Sequence, residues 1–192
     1  IKEVINFEKP DWIINCGAYT NVDQAESETL LVKKINSEAP KTLAREIFKY
    51  GGKMLQISTD YVFDGNSNNP YKIDSKKNPK NVYGKSKLLA EESIKEILRD
   101  VNQYLILRTS WVVSPYGKNF VKTILNLLKE KKTINVVDDQ FGSMTSTKYL
   151  ANTCWKLIDA NEVLSRKDKF FPPIHHWSDE GILSWYEIAN AI

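Results

Sequence analysis

The sequence has few of the residues that mark several classes of protein. Its 192 residues include two cysteines, two methionines and eight glycines. Because Cys16 and Cys154 lie far apart in the chain, a disulfide-stabilised scaffold is excluded and a reducing, cytoplasmic location is expected. No apolar run approaches the roughly 18 residues that a membrane-spanning helix needs. The formal net charge of +3 is too small to indicate a nucleic-acid or membrane partner.

The composition that remains and the order of the apolar segments indicate an α/β protein. Hydrophobic residues make up 42% of the chain and charged residues 27%, as in ordinary globular domains. Short apolar runs, which are typical of strands buried on both faces, occur at residues 12–16, 54–58, 104–108, 133–137 and 174–177. Helical patterns lie between them at residues 37–50, 83–98, 120–128 and 149–158, and Ser37 is the expected cap of the first. This alternation predicts a parallel sheet with helices on both faces.

A tyrosine and a lysine form the strongest candidate for chemistry. Tyr83 and Lys87 stand four residues apart at the start of a predicted helix, so they share one helical face. A neighbouring ammonium group favours the phenolate and is expected to lower the pKa of the phenol. Such a tyrosine can pass a proton to or from a carbonyl or alcohol oxygen. Because the spacing also occurs by chance, a solvated helix face is the alternative interpretation.

Two predicted strand ends add polar and small residues to this candidate site. Thr59 and Asp60 follow a buried-type strand, and the carboxyl ends of such strands are where α/β proteins hold ligands. The Thr59 hydroxyl can donate to the carbonyl that Tyr83 would protonate; its alternative role is local capping. At another strand end, Ala18, Tyr19 and Thr20 offer a segment that a cofactor can approach. Close helix–strand packing is the alternative there.

Several runs of the sequence resemble a known superfamily. Residues 15–26 (NCGAYTNVDQAE), 58–65 (STDYVFDG) and 81–87 (NVYGKSK) resemble the extended short-chain dehydrogenase/reductases. Four later runs narrow the resemblance to the dTDP-4-dehydrorhamnose reductase family: residues 108–111 (RTSW), 119–123 (NFVKT), 139–142 (DQFG) and 184–186 (SWY). The resemblance extends over nearly the whole chain, with the runs in order.

This resemblance implies a fold and an activity. The implied fold is a Rossmann-like, doubly wound parallel sheet, with a dinucleotide-binding and catalytic domain at residues 1–137 and part of a substrate-binding region at residues 138–192. The implied reaction is the reduction of the 4-keto group of dTDP-4-dehydro-L-rhamnose to dTDP-L-rhamnose by NADPH or NADH. The partner would be a nucleotide-linked keto-sugar, and a homodimer stays open. No metal ligands are identified.

The resemblance also assigns a role to each matching residue. Tyr83 would be the general acid, and Lys87 would bind the nicotinamide ribose and adjust the acidity of Tyr83. Thr59 would polarise the substrate carbonyl. The cofactor would be lined by Ala18, Tyr19 and Thr20, and the sugar nucleotide would be contacted by Asp60 and Trp111.

The chain departs from the superfamily pattern in its glycines. They stand at positions 17, 51, 52, 65, 84, 117, 142 and 181, and no three have the G-x-G-x-x-G spacing of a dinucleotide-binding turn. We therefore expect an interior fragment that lacks the first βαβ unit, with exposed sheet edges that favour self-association. The specificity for NADP or NAD is not readable from these residues. Two further functions stay open: another nucleotide-sugar reductase or epimerase of the superfamily, and a non-catalytic regulatory subunit with the same fold.

Overall fold

A computed structural model describes residues 1–99, 102–130 and 133–192. These residues form two compact units. The first unit contains Ile1–Arg108 and Cys154–His176, and the second contains Thr109–Thr153 and Trp177–Ile192. This boundary differs from the single cut after residue 137 that the sequence suggested, and the assignment of cofactor and substrate binding to residues 1–137 and 138–192 stays a prediction.

Helices and short strands follow one another along the chain. The helices are α1 (Lys2–Glu8), α2 (Val22–Ala25), α3 (Thr29–Lys33), α4 (Ala39–Phe48), α5 (Val82–Ile97), α6 (Phe120–Glu130), α7 (Thr147–Ser165) and α8 (Trp185–Asn190). The strands are β1 (Trp12–Asn15), β2 (Lys53–Thr59), β3 (Tyr104–Thr109), β4 (Val112–Val113), β5 (Phe141–Gly142), β6 (Thr145–Ser146), β7 (Ile174–His176) and β8 (Leu183–Ser184). A π-helical turn, Lys34–Glu38, and a 3₁₀ turn, Asp60–Val62, complete them.

A four-stranded sheet in the order β1-β2-β3-β7 forms the centre of the first unit. The β1–β2 and β3–β7 pairs are parallel. Every residue of β3 is buried, as are five of the seven residues of β2, which is why these strands have continuous apolar sequences. Four of the five predicted strands, and the α/β fold class, are confirmed.

The hydrophobic core of the first unit lies where α4 and α5 pack on the sheet. Ile94 and Leu98, at and just beyond the end of α5, are fully buried because they lie on the helical face toward β2 and β3. Each such side chain contributes about 1.5–3 kcal/mol on burial. The other buried members of this cluster are Ala44, Ile47, Met54, Tyr104 and Ile106.

Ser37 does not cap a helix, so this prediction is wrong. The chain passes from α3 through the π-helical turn into α4 with helical backbone angles, so the amide groups there need no side-chain cap. Ser37 is buried and donates its hydroxyl to the backbone oxygen of Ser86 at 2.9 Å. The hydroxyl therefore joins two helices instead of starting one.

The second unit contains two small sheets, a parallel pair β4–β6 and an antiparallel pair β5–β8. The predicted strand at residues 133–137 is wrong, because these residues adopt no strand and Val137 is 51% exposed. A run of apolar residues becomes a buried strand only when a sheet covers both of its faces. Helix α8 begins with a capping box, in which Ser184 and Glu187 each accept from the other's backbone amide.

Candidate active site

The carboxyl end of β2 holds the first candidate residue. Thr59 is buried and begins the 3₁₀ turn, where its hydroxyl oxygen accepts from the Tyr61 amide at 3.2 Å. The same hydroxyl donates to Oδ1 of Asp60 at 3.0 Å. Thr59 therefore caps the 3₁₀ turn and also lies near Tyr83, the candidate acid. To polarise a substrate carbonyl, the Thr59 hydroxyl would have to turn away from Asp60.

The start of α5 approaches this turn closely. Asn81 caps the helix by accepting from the Gly84 amide at 2.7 Å. A Cβ atom at Gly84 would clash with the backbone oxygen of Tyr61, so glycine allows the helix to lie against the turn. The ring of Tyr83 meets the ring of Tyr61 edge to face, with centroids 5.6 Å apart. The structure thus brings Thr59 and Tyr83 together, as expected.

The acidity of Tyr83 differs from the expectation. Burial raises the pKa of Tyr83 to about 12, a hydrogen bond with Thr59 lowers it, and the charge of Asp60 raises it further. We expected Lys87 to lower this pKa, but the lysine ammonium is directed toward a backbone oxygen of β2. A phenol with this pKa is protonated at neutral pH, which suits a proton donor.

Lys87 lies one turn along α5 and is only 3% exposed. Its ammonium donates to the backbone oxygen of Ile57 at 2.7 Å. Burial lowers the pKa of Lys87 to about 8, while the charges of Glu91 and Cys16 raise it. A buried lysine with a strongly perturbed pKa is a mark of a functional site.

The segment after β1 is fixed beside this lysine by an asparagine that the sequence analysis missed. Asn36 is 1% exposed, accepts from the Tyr19 amide at 2.7 Å and donates to the Tyr19 oxygen at 3.0 Å. It also donates to Ser86 of α5 at 3.0 Å. The backbone of the predicted cofactor-lining segment is therefore held against α5. Ala18 and Tyr19 are half-buried and Thr20 is exposed.

The remaining predicted ligand residues differ in their surroundings. Asp60 is exposed as a residue, yet desolvation of its carboxyl group raises its pKa, and the hydrogen bond with Thr59 lowers it. Trp111 belongs to the second unit, where it stacks on Trp185 with ring centroids 3.7 Å apart. Its φ angle of 43° is unusual for a bulky residue, and Gly142 leaves room for its ring.

The sequence analysis also missed a buried ion pair behind the site. Arg108 donates two hydrogen bonds to Glu91, at 2.9 and 2.7 Å. Ser58, the residue before Thr59, donates to the same carboxylate at 2.6 Å. The spacing of Tyr83, Lys87 and Glu91, each four residues apart, was an available signal for Glu91 alone, since it places all three on one helical face.

No group of three or more metal-ligating side chains is present among residues 1–99, 102–130 and 133–192. In the same part of the chain, no helix has the length and apolar character needed to cross a membrane. Cys16 and Cys154 are free thiols, the first exposed and the second buried. His175 and His176 point to different partners, Pro172 and Arg108.

The chain matches the family described as RmlD substrate binding domain over residues 1–192. It belongs to this family. Among similar relatives, it is 42% identical over 184 residues to the spore coat polysaccharide biosynthesis protein SpsK of Bacillus subtilis, with 96% of this chain and 60% of that protein covered. It is 36% identical to dTDP-4-dehydrorhamnose reductase of Burkholderia thailandensis, with 100% and 63% covered.

Solved structures agree with this membership and with the Rossmann-like α/β fold. The dTDP-4-dehydrorhamnose reductase of Bacillus anthracis in complex with NADP superimposes with a TM-score of 0.88 at 39% identity, with 99% of this chain and 64% of that chain covered. The chain therefore spans less than two thirds of the length of these RmlD-family relatives. The family match over residues 1–192 includes Thr59, Tyr83 and Lys87 of this chain.

Proposed function

We propose that this RmlD-family chain carries the catalytic residues for NAD(P)H-dependent reduction of dTDP-4-dehydro-L-rhamnose to dTDP-L-rhamnose. The observation that carries the proposal is the meeting of Thr59, Tyr83 and Lys87 at the end of β2, with Tyr83 half-buried and its pKa raised to about 12, so that its phenol is protonated at neutral pH. The names of the relatives, and the NADP bound to the B. anthracis protein, support the choice of substrate and cofactor.

The residues around Lys87 fit a nicotinamide cofactor. An ammonium group has three donors; one binds the backbone oxygen of Ile57, and within the described residues the ammonium forms no second hydrogen bond. Ribose hydroxyls can accept from the remaining donors. The adjacent segment from Ala18 to Thr20 has its backbone held by Asn36. When bound, the reduced nicotinamide supplies the hydride.

Residues of this chain would transfer the proton to the substrate. Thr59 would turn its hydroxyl from Asp60 to the substrate carbonyl and draw charge toward the oxygen. Tyr83 would then give its phenolic proton to that oxygen as negative charge develops there. The Lys87 ammonium, whose described contact is with Ile57 and not with Tyr83, would hold the nicotinamide ribose one helical turn away. Burial favours the neutral phenol before the reaction and favours the proton's return afterwards.

The first prediction tests the role of Tyr83. Tyr83→Phe should lower NADPH-dependent reduction of dTDP-4-dehydro-L-rhamnose by about 10²–10⁴-fold, because the proton donor is removed. NADPH binding, measured by fluorescence titration, should stay within a few-fold of the parent. The matched control is Tyr50→Phe, which removes a tyrosine hydroxyl that donates to Pro10 and should keep parental turnover.

Near-parental turnover by Tyr83→Phe would overturn this role. Product analysis separates the neighbouring activities of the superfamily. Formation of dTDP-L-rhamnose with equal consumption of NADPH supports the reductase, whereas interconversion of sugars without net consumption of NADPH would replace it with an epimerase. Absence of any turnover with saturable NADPH binding would favour a non-catalytic role.

A further inference from the structure

The ion pair between Glu91 and Arg108 contains the most deeply buried charged side chains among the described residues of the first unit. The side chains are 0% and 1% exposed. Both carboxylate oxygens accept from the guanidinium, and Ser58 donates to one of them. Such a bidentate pair fixes the position of the carboxylate closely.

The pair is attached to the elements that carry the candidate catalytic residues. Glu91 lies one turn after Lys87 on α5, and Ser58 immediately precedes Thr59 on β2. Arg108 also donates to the backbone oxygen of Ile73 at 3.1 Å. Residue 73 lies in the loop that joins the 3₁₀ turn to α5. The ion pair thus links α5, strand β2 and the loop that contains Ile73.

We propose that Glu91, held in place by Arg108, is a positioning residue that provides the counter-charge for the Lys87 ammonium. The inference rests on the proposed function for its effect on turnover, but its electrostatic part concerns only Lys87. It deepens the role of Lys87 by explaining how a buried lysine stays cationic beside the proton donor.

The charges around Lys87 support this assignment. On α5, the carboxylate of Glu91 raises the pKa of Lys87, and from the segment after β1 the Cys16 thiol raises it as well, against the larger lowering by burial. The groups around Glu91 itself are cations or neutral partners: Lys87 and Lys95 on α5, Ser58 on β2, Arg108 on β3 and His176 on β7. Glu91 is therefore the one carboxylate that acts on Lys87 within the described residues.

Stability alone does not account for the pair. Replacing a buried ion pair with apolar side chains of similar size is often neutral or stabilising. A positioning role instead predicts that the charge of Glu91 matters to Lys87 even when the fold does not need it. This difference defines the experiment.

The test uses Glu91→Gln, which keeps the shape and removes the charge. Because the ammonium loses its counter-charge, the pH at which Lys87 deprotonates should fall by roughly one unit. Two readouts follow it: the alkaline limb of the NADPH-dependent rate profile, and the titration of ¹³Cε-labelled lysine by NMR, with the Lys87 signal assigned by its loss in Lys87→Met. Both should move to lower pH.

Three further variants distinguish the effect of the Glu91 charge on Lys87 from effects on protein stability. Glu92→Gln, the exposed neighbour, should leave both readouts unchanged. Glu91→Asp keeps the charge and should restore most of the parental pH profile. Glu91→Gln with Arg108→Met removes both buried charges; it should regain the stability lost in Glu91→Gln and still show the lowered Lys87 titration.

The outcomes distinguish this inference from the proposed function. A lowered Lys87 titration in Glu91→Gln or in the double variant supports the inference even in a protein without reductase turnover. An unchanged Lys87 titration in a folded variant overturns it, whatever the turnover. If turnover is present and its alkaline limb stays in place in Glu91→Gln, the link between Glu91 and catalysis is overturned.

Discussion

Both compact units of this RmlD-family chain bury hydroxyl groups, but among the described residues the first unit also buries acidic and basic side chains. Among its described residues, the first unit buries four acidic or basic side chains, those of Glu46, Lys87, Glu91 and Arg108. Among the described residues of the second unit, the buried polar side chains are hydroxyls, on Thr109, Thr145 and Ser184. Burial of a charge costs far more than burial of a hydroxyl.

This difference shows where the chain buries side chains whose desolvation is energetically unfavourable. In the first unit, three of the four buried charges lie on α5 or contact it, next to Tyr83 and Thr59. In the second unit the hydroxyls serve local structure: Thr109 donates to Thr145 at 3.0 Å, and Ser184 caps α8. Three of the four buried acidic and basic side chains of the first unit therefore lie beside the candidate site, whereas the buried hydroxyls of the second unit stabilise short elements.

The largest expected effect comes from breaking the buried ion pair. Arg108→Met should lower the free energy of unfolding by about 3–5 kcal/mol, because it leaves Glu91 buried without its cation. Urea unfolding followed by circular dichroism measures this loss. The control is Lys33→Gln, which removes an exposed pair with Glu38 at 3.9 Å and should change stability by less than about 1 kcal/mol. Equal losses of stability in Arg108→Met and Lys33→Gln would contradict the expected difference between buried and exposed ion pairs.

Removing the buried lysine should have the opposite sign. Lys87→Met should abolish turnover but raise the free energy of unfolding by about 1–3 kcal/mol at pH 7, because burial of the ammonium opposes folding. Ile57 keeps a second donor in Gln56, at 2.7 Å. The pKa of Lys87 falls from 10.5 in the unfolded chain to about 8 in the fold.

This pKa difference fixes the pH dependence. Between pH 8 and 10.5 the unfolded chain binds the proton that the folded protein has lost, so the parent becomes more stable as the pH rises. The gain from Lys87→Met should therefore be complete below pH 8 and decline toward pH 10.5. Urea unfolding at pH 7, 9 and 10.5 tests this, and a gain that grows with pH would contradict it.

Each unit contains a glycine that lies close to a neighbouring residue, so the cost of adding a Cβ atom can be compared between the two units. A Cβ at Gly84 would meet the backbone of Tyr61, whereas a Cβ at Gly142 would meet the ring of Trp111 at 2.8 Å. Gly84→Ala should cost about 1–3 kcal/mol or more, since backbone cannot yield easily. Gly142→Ala should cost less, because an aromatic side chain can shift. Thermal unfolding ranks the two, and the reverse order would show that the Trp111 packing is the more rigid.

The sequence predicts the part of the fold that depends on continuous burial. Strands β1, β2, β3 and β7 are apolar runs, and the sheet covers them as expected. The run at 133–137 has the same pattern but no strand partner, and pairing is a tertiary property that one segment does not encode. Ser37 failed as a cap for a similar reason, because the preceding residues are already helical.

In the candidate site, too, features set by local spacing are predictable from the sequence, whereas tertiary contacts are not. Thr59, Tyr83 and Lys87 are readable from strand-end and helical spacing, and the structure brings them together. The pairing of Glu91 with Arg108 is not readable, since it joins a helix to a strand 17 residues away. The raised pKa of Tyr83 depends on burial and on Asp60, which a spacing rule does not include. The roles of these residues stay predictions for turnover measurements.

The smallest expected effects come from two helix caps, one in each unit. Asn81 accepts from the Gly84 amide, and Ser184 accepts from the Glu187 amide at 3.1 Å. Asn81→Ala and Ser184→Ala should each cost about 1 kcal/mol of stability. Their kinetic effects should differ, because Tyr83 follows the first cap by two residues while Trp185, the stacking partner of Trp111, follows the second.

Steady-state reduction of the nucleotide sugar separates the two caps. Asn81→Ala should lower kcat, since it loosens the turn that presents Tyr83, the proposed proton donor. Ser184→Ala should raise KM for the sugar nucleotide with kcat kept, if the Trp111 stack contacts that substrate, because lost binding common to substrate and transition state appears in KM. A fall in kcat for Ser184→Ala as large as that for Asn81→Ala would remove the distinction between the two caps.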